Sequence, residues 1–188
     1  MAQILSIGNR ALELNKKILT ASSVGDNYII IDGYSYELKK AGSRIWSTED
    51  IKVPLDGTQE RSGLVYYTWD HIQAILQKLP SGWRVPGESD WYNLVNNSGY
   101  SVAQLKSTTG WNSYPGTNAS GLNFLPRGEY QKSGTTPILY DVGRNGYYWC
   151  TTGDNAAYQI GTDNYGHKAR FSSQSHSWWL AIRICRDA

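Results

Sequence analysis

Pro80-Ser81-Gly82-Trp83-Arg84-Val85-Pro86-Gly87-Glu88-Ser89-Asp90-Trp91 compresses a turn, a short aromatic strand, a second turn and the opening of a helix into one tract. Pro80 disfavours the helical state at Leu79 and so ends any helix that precedes it. Pro86-Gly87 breaks the chain again, and Glu88 and Asp90 then fall in the first turn of a new helix, where carboxylates complement the dipole. Upstream, Trp69, Ile72, Leu76 and Leu79 recur at spacings of three and four. That period predicts a helix over residues 67–79, with Thr68 as its N-cap. Downstream, Trp91, Leu94 and Val95 form the inner stripe of a second helix, and a shorter helical turn is expected over residues 101–105.

Further out, the pattern changes to strands. Tyr28-Ile29-Ile30-Ile31 is an apolar β-rich run closed by Asp32-Gly33, a strong hairpin turn, and Tyr34-Ser35-Tyr36-Glu37-Leu38 alternates as the returning strand. Arg44-Ile45-Trp46-Ser47 reads as a third strand. Beyond Gly110 helical periodicity is gone. Short strands are expected at residues 121–124, 147–151, 156–160, 168–171 and 179–186, with packed loops at 111–121 and 127–146. Residues 1–26 read as a separate element. Ala11-Leu12-Glu13-Leu14, a turn at Asn15-Lys16-Lys17 and Ile18-Leu19-Thr20 suggest a β-hairpin, with an amphipathic helix over residues 10–19 as the alternative.

A chain of 188 residues suits one domain, here 27–188, with residues 1–26 as an appendage. At this length folding buries roughly 70% of the unfolded surface, enough for a core without metal or disulfide staples. The formal charge of +2, with 18 scattered Lys and Arg, argues against a nucleic-acid groove. No apolar run reaches the roughly 20 residues of a membrane span, and the N-terminus lacks the pattern of a signal peptide. Aromatic content is lopsided, with 8 Trp and 14 Tyr against 2 Phe. Such side chains serve both as core and as rigid surface anchors. Trp83, Trp91, Trp111 and Trp149 are assigned to the core.

Residues for catalysis or metal binding do not converge in the sequence. His71, His167 and His176 lie far apart, and no zinc, phosphate-loop or nucleophile-elbow motif is present. His71 falls beside the apolar helix face and reads as a satisfied helix residue. Calcium sites need six to eight oxygens, and Asp163-Asn164 has no partners to complete one. The reading is therefore non-enzymatic, with no cofactor and no metal. Cys150 and Cys185 admit two states: buried free thiols, or a bond across 35 residues that would stabilise by roughly 3–4 kcal/mol.

Taken in order, Asp32-Gly33, Trp46, Tyr67-Thr68-Trp69, the Trp83 tract, Leu105-Lys106-Ser107, Gly110-Trp111, Leu125-Pro126, Tyr148-Trp149 and Ile182-Arg183-Ile184-Cys185-Arg186-Asp187 resemble the Fibrobacter succinogenes major paralogous domain, from about residue 30 onward. The resemblance implies an α+β, C-type-lectin-like fold with two helices, short antiparallel strands and long packed loops. In exported relatives the last-strand cysteine tends to pair with one just before the Pro-x-Gly-Trp tract; here Leu79 stands at that place. The formylglycine-generating enzyme shares the broad fold and relies on a cysteine pair, which makes it the least favoured alternative.

Residues 153–179 hold the most functional promise, because 13 of these 27 are Tyr, Ser, Gly, Asn or Trp, the composition of antibody binding loops. The segment resembles, in placement and composition, the mutable region of variable proteins of diversity-generating retroelements. Asp154, Asn155, Tyr158, Asp163, Asn164, Tyr165, His167, Ser172, Ser173, Ser175, His176 and Trp178 are accordingly the expected ligand contacts. They also fit polar positions alternating with core ones in antiparallel strands. The expected function is receptor binding, as in a phage or prophage receptor-binding or variable protein. Its target would be host cell-surface protein or glycan, and it would be displayed on a virion tail or cell surface. Residues 1–26 would serve a homo-oligomer or a larger virion assembly. An exported bacterial surface-adhesion module of the same family is the alternative.

Overall fold

The computed structural model describes residues 23–151, 156–163 and 165–188. Strand and isolated bridges account for 40% of it and helix for 12%. The α+β, C-type-lectin-like expectation is therefore corrected to a mainly β fold built on antiparallel sheet, with three short helices among the described residues. The physical reason lies around Tyr67. Its N–H donates to the Leu180 carbonyl and its carbonyl accepts from the Leu180 N–H, both at 2.8 Å. Residues read as the first helical turn are thus held in sheet-like pairing, and helix α1 spans only His71–Leu76.

One sheet runs β1(Ser23–Val24), β2(Tyr28–Ile31), β3(Tyr34–Ala41), β4(Arg44–Ser47) and β12(Cys185–Asp187), all antiparallel neighbours in that order. The Asp32-Gly33 hairpin is as expected, with both residues at positive φ, 50° and 84°. A second sheet orders β11(Gly166–Ser173), β10(Ala156–Asp163) and β9(Asn145–Trp149), with β10 in the middle. Two hairpins complete the set: β5(Gln59–Arg61) with β6(Leu64–Tyr66), and β7(Glu129–Ser133) with β8(Thr136–Tyr140). The second replaces most of the loop expected over 127–146. Gly128 makes it possible: at φ 68° it sits where any Cβ would run into the Tyr140 carbonyl. The strand expected at 121–124 reduces to a single bridge from Phe124 to Lys106.

The stretch from Trp179 to Cys185 ties these pieces together. Trp179 bridges to Tyr130, Leu180 to Tyr67, Ala181 to Tyr148, and Cys185 to Arg84 and Trp46. Helix α2(Glu88–Asn96) follows the Trp83 tract as expected, but Asp90 does more than face the dipole. It is buried, and its carboxylate accepts from Gly87 N–H (3.1 Å), Arg84 Nε (2.9 Å) and Arg44 Nε (2.7 Å). Burial opposes its ionisation, yet the two guanidinium groups outweigh burial and hold its pKa well below the usual carboxylate range. Helix α3(Val102–Leu105) is capped by Ser101, whose N–H donates to Gln104 Oε1 at 2.9 Å.

Apolar residues fill two cores. One gathers Ile29, Ile31, Ile51, Trp83, Trp149 and Ile182, and the other Trp46, Trp91, Leu94, Phe124, Tyr148 and Tyr158. Trp111, expected in the core, is only half-buried; its Nε1–H donates to Ser107 Oγ at 2.9 Å. Between the cores lies an ionic bolt. Fully buried Asp50 accepts from Arg183 Nε, and Arg183 Nη1 donates to the carbonyls of Ser47 (2.7 Å) and Leu122 (2.9 Å) while its guanidinium covers the Phe124 ring at 4.4 Å. Cys150 and Cys185 are buried and form no disulfide, and burial pushes the Cys185 thiol up. Of the residues 1–26 expected to form a hairpin, 1–22 lie outside the described ones, and Ser23–Val24 pairs with β2.

Candidate ligand-binding site

Three of the expected contacts, Asp154, Asn155 and Asn164, lie outside the described residues. The rest divide into a core residue, a hairpin surface and a turn beside a pocket. Tyr158 is 4% exposed and stacks on Trp91, ring centroids 4.8 Å apart and planes 7° apart. It cannot meet a ligand as expected. β10 is the middle strand and its second face is covered as well: Gln159 Nε2 donates to Tyr147 Oη (3.0 Å) and Gln159 Oε1 accepts from Arg170 Nε (2.8 Å).

On the hairpin surface, Asp163 Oδ1 accepts from the Tyr165 N–H at 2.8 Å, and Tyr165 stands 97% exposed at the turn. Ser173 is exposed, and Ser172 Oγ accepts from Gln174 Nε2 at 3.2 Å. His167 is exposed, with Nδ1 3.0 Å from Lys106 Nζ. Lys106 is buried, donates to the Tyr114 carbonyl at 2.7 Å and lies 3.8 Å from the Trp111 ring centroid. Burial pushes the Lys106 ammonium down to about 8. Burial and the Lys106 charge together lower the His167 imidazole, so its Nδ1 accepts the lysine's hydrogen bond. This cluster clamps the Tyr114 loop to β11.

The last three expected contacts share one turn, and of them only His176 lines a pocket. The Ser175–Trp178 turn closes through the Trp178 N–H to the Ser175 carbonyl (3.0 Å), and the Ser175 and Ser177 hydroxyls are 2.9 Å apart. The His176 ring lies flat on Trp69, centroids 4.6 Å and planes 3° apart, and Trp69 packs edge-on against buried Trp149. Trp178 packs against the first core. Beside this stack opens a cavity of about 340 Å3 lined by Thr68, Asp70, Lys132, His176, Ser177 and Trp179. Trp179 is held from both sides, by main-chain pairing with Tyr130 and by its Nε1–H to the Gly57 carbonyl at 2.8 Å. The buried Nε2 of His176 has no partner.

The pocket therefore offers an anchored indole, an imidazole, two hydroxyls, a carboxylate and an ammonium. Thr68, Asp70, Lys132, Ser177 and Trp179 were not among the expected contacts. They come from the α1 approach, the β7–β8 hairpin and the C-terminal segment, and only Ser177 and Trp179 fall within residues 153–179, the segment singled out. His71 is a satisfied helix residue: its Nδ1 accepts from the Thr68 N–H (2.9 Å), so its Nε2–H faces the Asp56 carbonyl (2.8 Å). Among the described residues no group of three or more His, Cys, Asp and Glu could hold a metal ion. No helix among them is long and apolar enough to cross a membrane.

The arrangement belongs to a recognised class of domain. The family model of the Fibrobacter succinogenes major domain matches residues 24–186, nearly the whole described chain, and the protein is a member of that family. No curated protein and no solved structure matches the chain.

Proposed function

We propose that the protein is a non-catalytic ligand-binding protein of the receptor-binding or variable type carried by phage and prophage, presenting the His176–Trp179 pocket to a host cell-surface glycan or protein. The pocket itself carries the reading. A rigid aromatic floor with hydroxyl, carboxylate and ammonium groups at its edge suits a sugar ring or a polar peptide side chain, and its volume falls within the range of small-ligand sites. The floor is pinned by sheet pairing and by the Trp69–His176 stack, so little ordering is needed on binding. Composition supports display: Tyr, Ser, Gly, Asn and Trp dominate residues 153–179.

Binding of the purified protein to arrayed host-surface glycans and to host surface-protein extracts tests this. Asp70→Ala and Lys132→Ala, both at exposed positions, are expected to weaken binding about tenfold or more, as loss of a charged hydrogen bond does. Tyr165→Ala is expected to change it less than about twofold, within the small effect of most peripheral contacts. Absence of any saturable binding, or indifference to both pocket variants, would defeat the proposal. Membership in the family favours a second reading, an exported bacterial surface-adhesion module using the same pocket. Adenine-biased variation of residues 154–178 between sibling genes beside a reverse transcriptase gene supports the first over the second.

A further inference from the structure

A second cleft, sharing no residue with that pocket, opens between the β5–β6 hairpin, residues 125–127 and β8. Its volume is about 280 Å3, and its walls are mainly apolar: Leu64, Tyr66, Leu125, Pro126, Leu139 and Val142. The only charged residues lining it are two arginines, exposed Arg61 and Arg127. Arg127 is 7% exposed. Its Nη1 lies 2.7 Å from Asp50 Oδ2, out of line for a hydrogen bond, and its Nε is buried with no partner at all. The other Asp50 oxygen is already taken by Arg183. Two buried guanidinium groups thus share one carboxylate, and Arg127 keeps an unfilled donor.

A buried donor of this kind is costly unless an acceptor reaches it, and an anionic acceptor makes the stronger bond. The direction of approach follows from the surroundings. A polar cleft also lined by Arg127 carries Glu37 and Glu49, which repel an anion. The apolar cleft carries no acid. Tyr66 fixes the Arg127 main chain through its hydroxyl donating to the Arg127 carbonyl at 3.0 Å, so the guanidinium is presented from a rigid frame.

We propose that this cleft binds a carboxylate carried on an apolar group, the carboxylate on the unfilled Arg127 donor and the apolar part between Leu64, Leu139 and Val142. Two sources present that chemistry: a free small acid, and the C-terminal carboxylate of a polypeptide ending in a large apolar residue.

Titration of the full chain with 3-phenylpropionate and with its uncharged amide, followed by calorimetry and by the 15N-edited signal of arginine Nε–H groups, tests the proposal. The acid is expected to bind saturably at millimolar or tighter affinity, the range open to a ligand of roughly a dozen heavy atoms. It should shift one Nε–H signal, lost in Arg127→Lys, and the amide should bind at least about tenfold more weakly. Leu139→Asp, which places a carboxylate in the cleft from a half-buried position, should abolish binding without lowering the melting temperature, and exposed Arg61→Ala should weaken it severalfold. A short peptide ending in Leu, compared with its C-terminal amide, separates the sources: tighter binding of the peptide acid than of 3-phenylpropionate assigns a polypeptide terminus, and the reverse a free acid. Equal binding of acid and amide, no saturation by either acid, or unchanged binding in both Leu139→Asp and Arg61→Ala would overturn the proposal.

Discussion

Tyr158 and Trp91 stack ring on ring, 4.8 Å between centroids, joining the middle strand of the second sheet to helix α2. Phe171 meets the same tyrosine edge-on at 5.0 Å. The phenol is therefore core, and burial pushes its pKa up to about 12. Tyr158→Ala is expected to cost about 3–4 kcal/mol in chemical denaturation, as large aromatic truncations in cores do. A shift below about 1 kcal/mol, the scale of surface substitutions, would return Tyr158 to the surface.

The Asp50–Arg183 pair should behave as an interdependent unit. Asp50→Ala leaves two buried guanidinium groups without a counterion and is expected to cost about 3–5 kcal/mol. The double variant Asp50→Ala/Arg183→Met should lose less than the two single losses added, because each partner is costly chiefly when stranded. Additive losses in a double-mutant cycle would show that the two do not interact.

Glu129 supplies a pH signature. It is buried, its Oε1 accepts from Gln131 Nε2 at 3.0 Å, and its Oε2 has no partner. Burial, opposed by that hydrogen bond and aided by the Asp141 charge, pushes its pKa from 4.5 up to about 7. The folded chain thus holds this proton more tightly than the unfolded chain. The resulting stability is full below about pH 4.5 and is lost as pH rises through about 7. Glu129→Gln should therefore be more stable than the parent at pH 8, by roughly 1–3 kcal/mol, and the gap should close towards pH 4.5. Asp90 and Asp187, both lowered, lose their contributions in more acidic solution, and lowered His167 loses its own as pH falls; the difference between variant and parent cancels all three. A pH-independent gap between the denaturation curves would contradict the assignment.

Gly128 should tolerate no side chain. Gly128→Ala places a Cβ against the Tyr140 carbonyl at a φ of 68° and is expected to cost at least about 2 kcal/mol. Gly134, at the hairpin tip, also has positive φ, but nothing stands near its Cβ. Gly134→Ala should cost less, and thermal melts of the two variants check the order.

Local chemistry was legible directly. Asp32-Gly33 demands a tight turn, so β2 and the start of β3 could be placed, although β3 runs on to Ala41, three residues past Leu38. Pro80 and Pro86-Gly87 bound the Trp83 tract whatever surrounds it, and the spacing of Trp91 and Leu94 sets the inner face of α2. Trp83, Trp91 and Trp149 were recognisable as core because so much apolar area has nowhere else to go. Long-range pairing was not legible. Tyr67 opens the helix expected from the sequence, yet its main chain pairs with Leu180, more than a hundred residues away, and α1 is shortened accordingly. Tyr158 alternates like an outward residue, because a period of two cannot tell whether a strand's second face will be covered. The pocket shares that character: Thr68, Asp70, Lys132 and Trp179 meet only after the C-terminal segment has bridged to Tyr67 and Tyr130. Turn and helix signals act over a few bonds and are written where they act, whereas a binding surface is made by segments whose proximity depends on the packing of the whole chain.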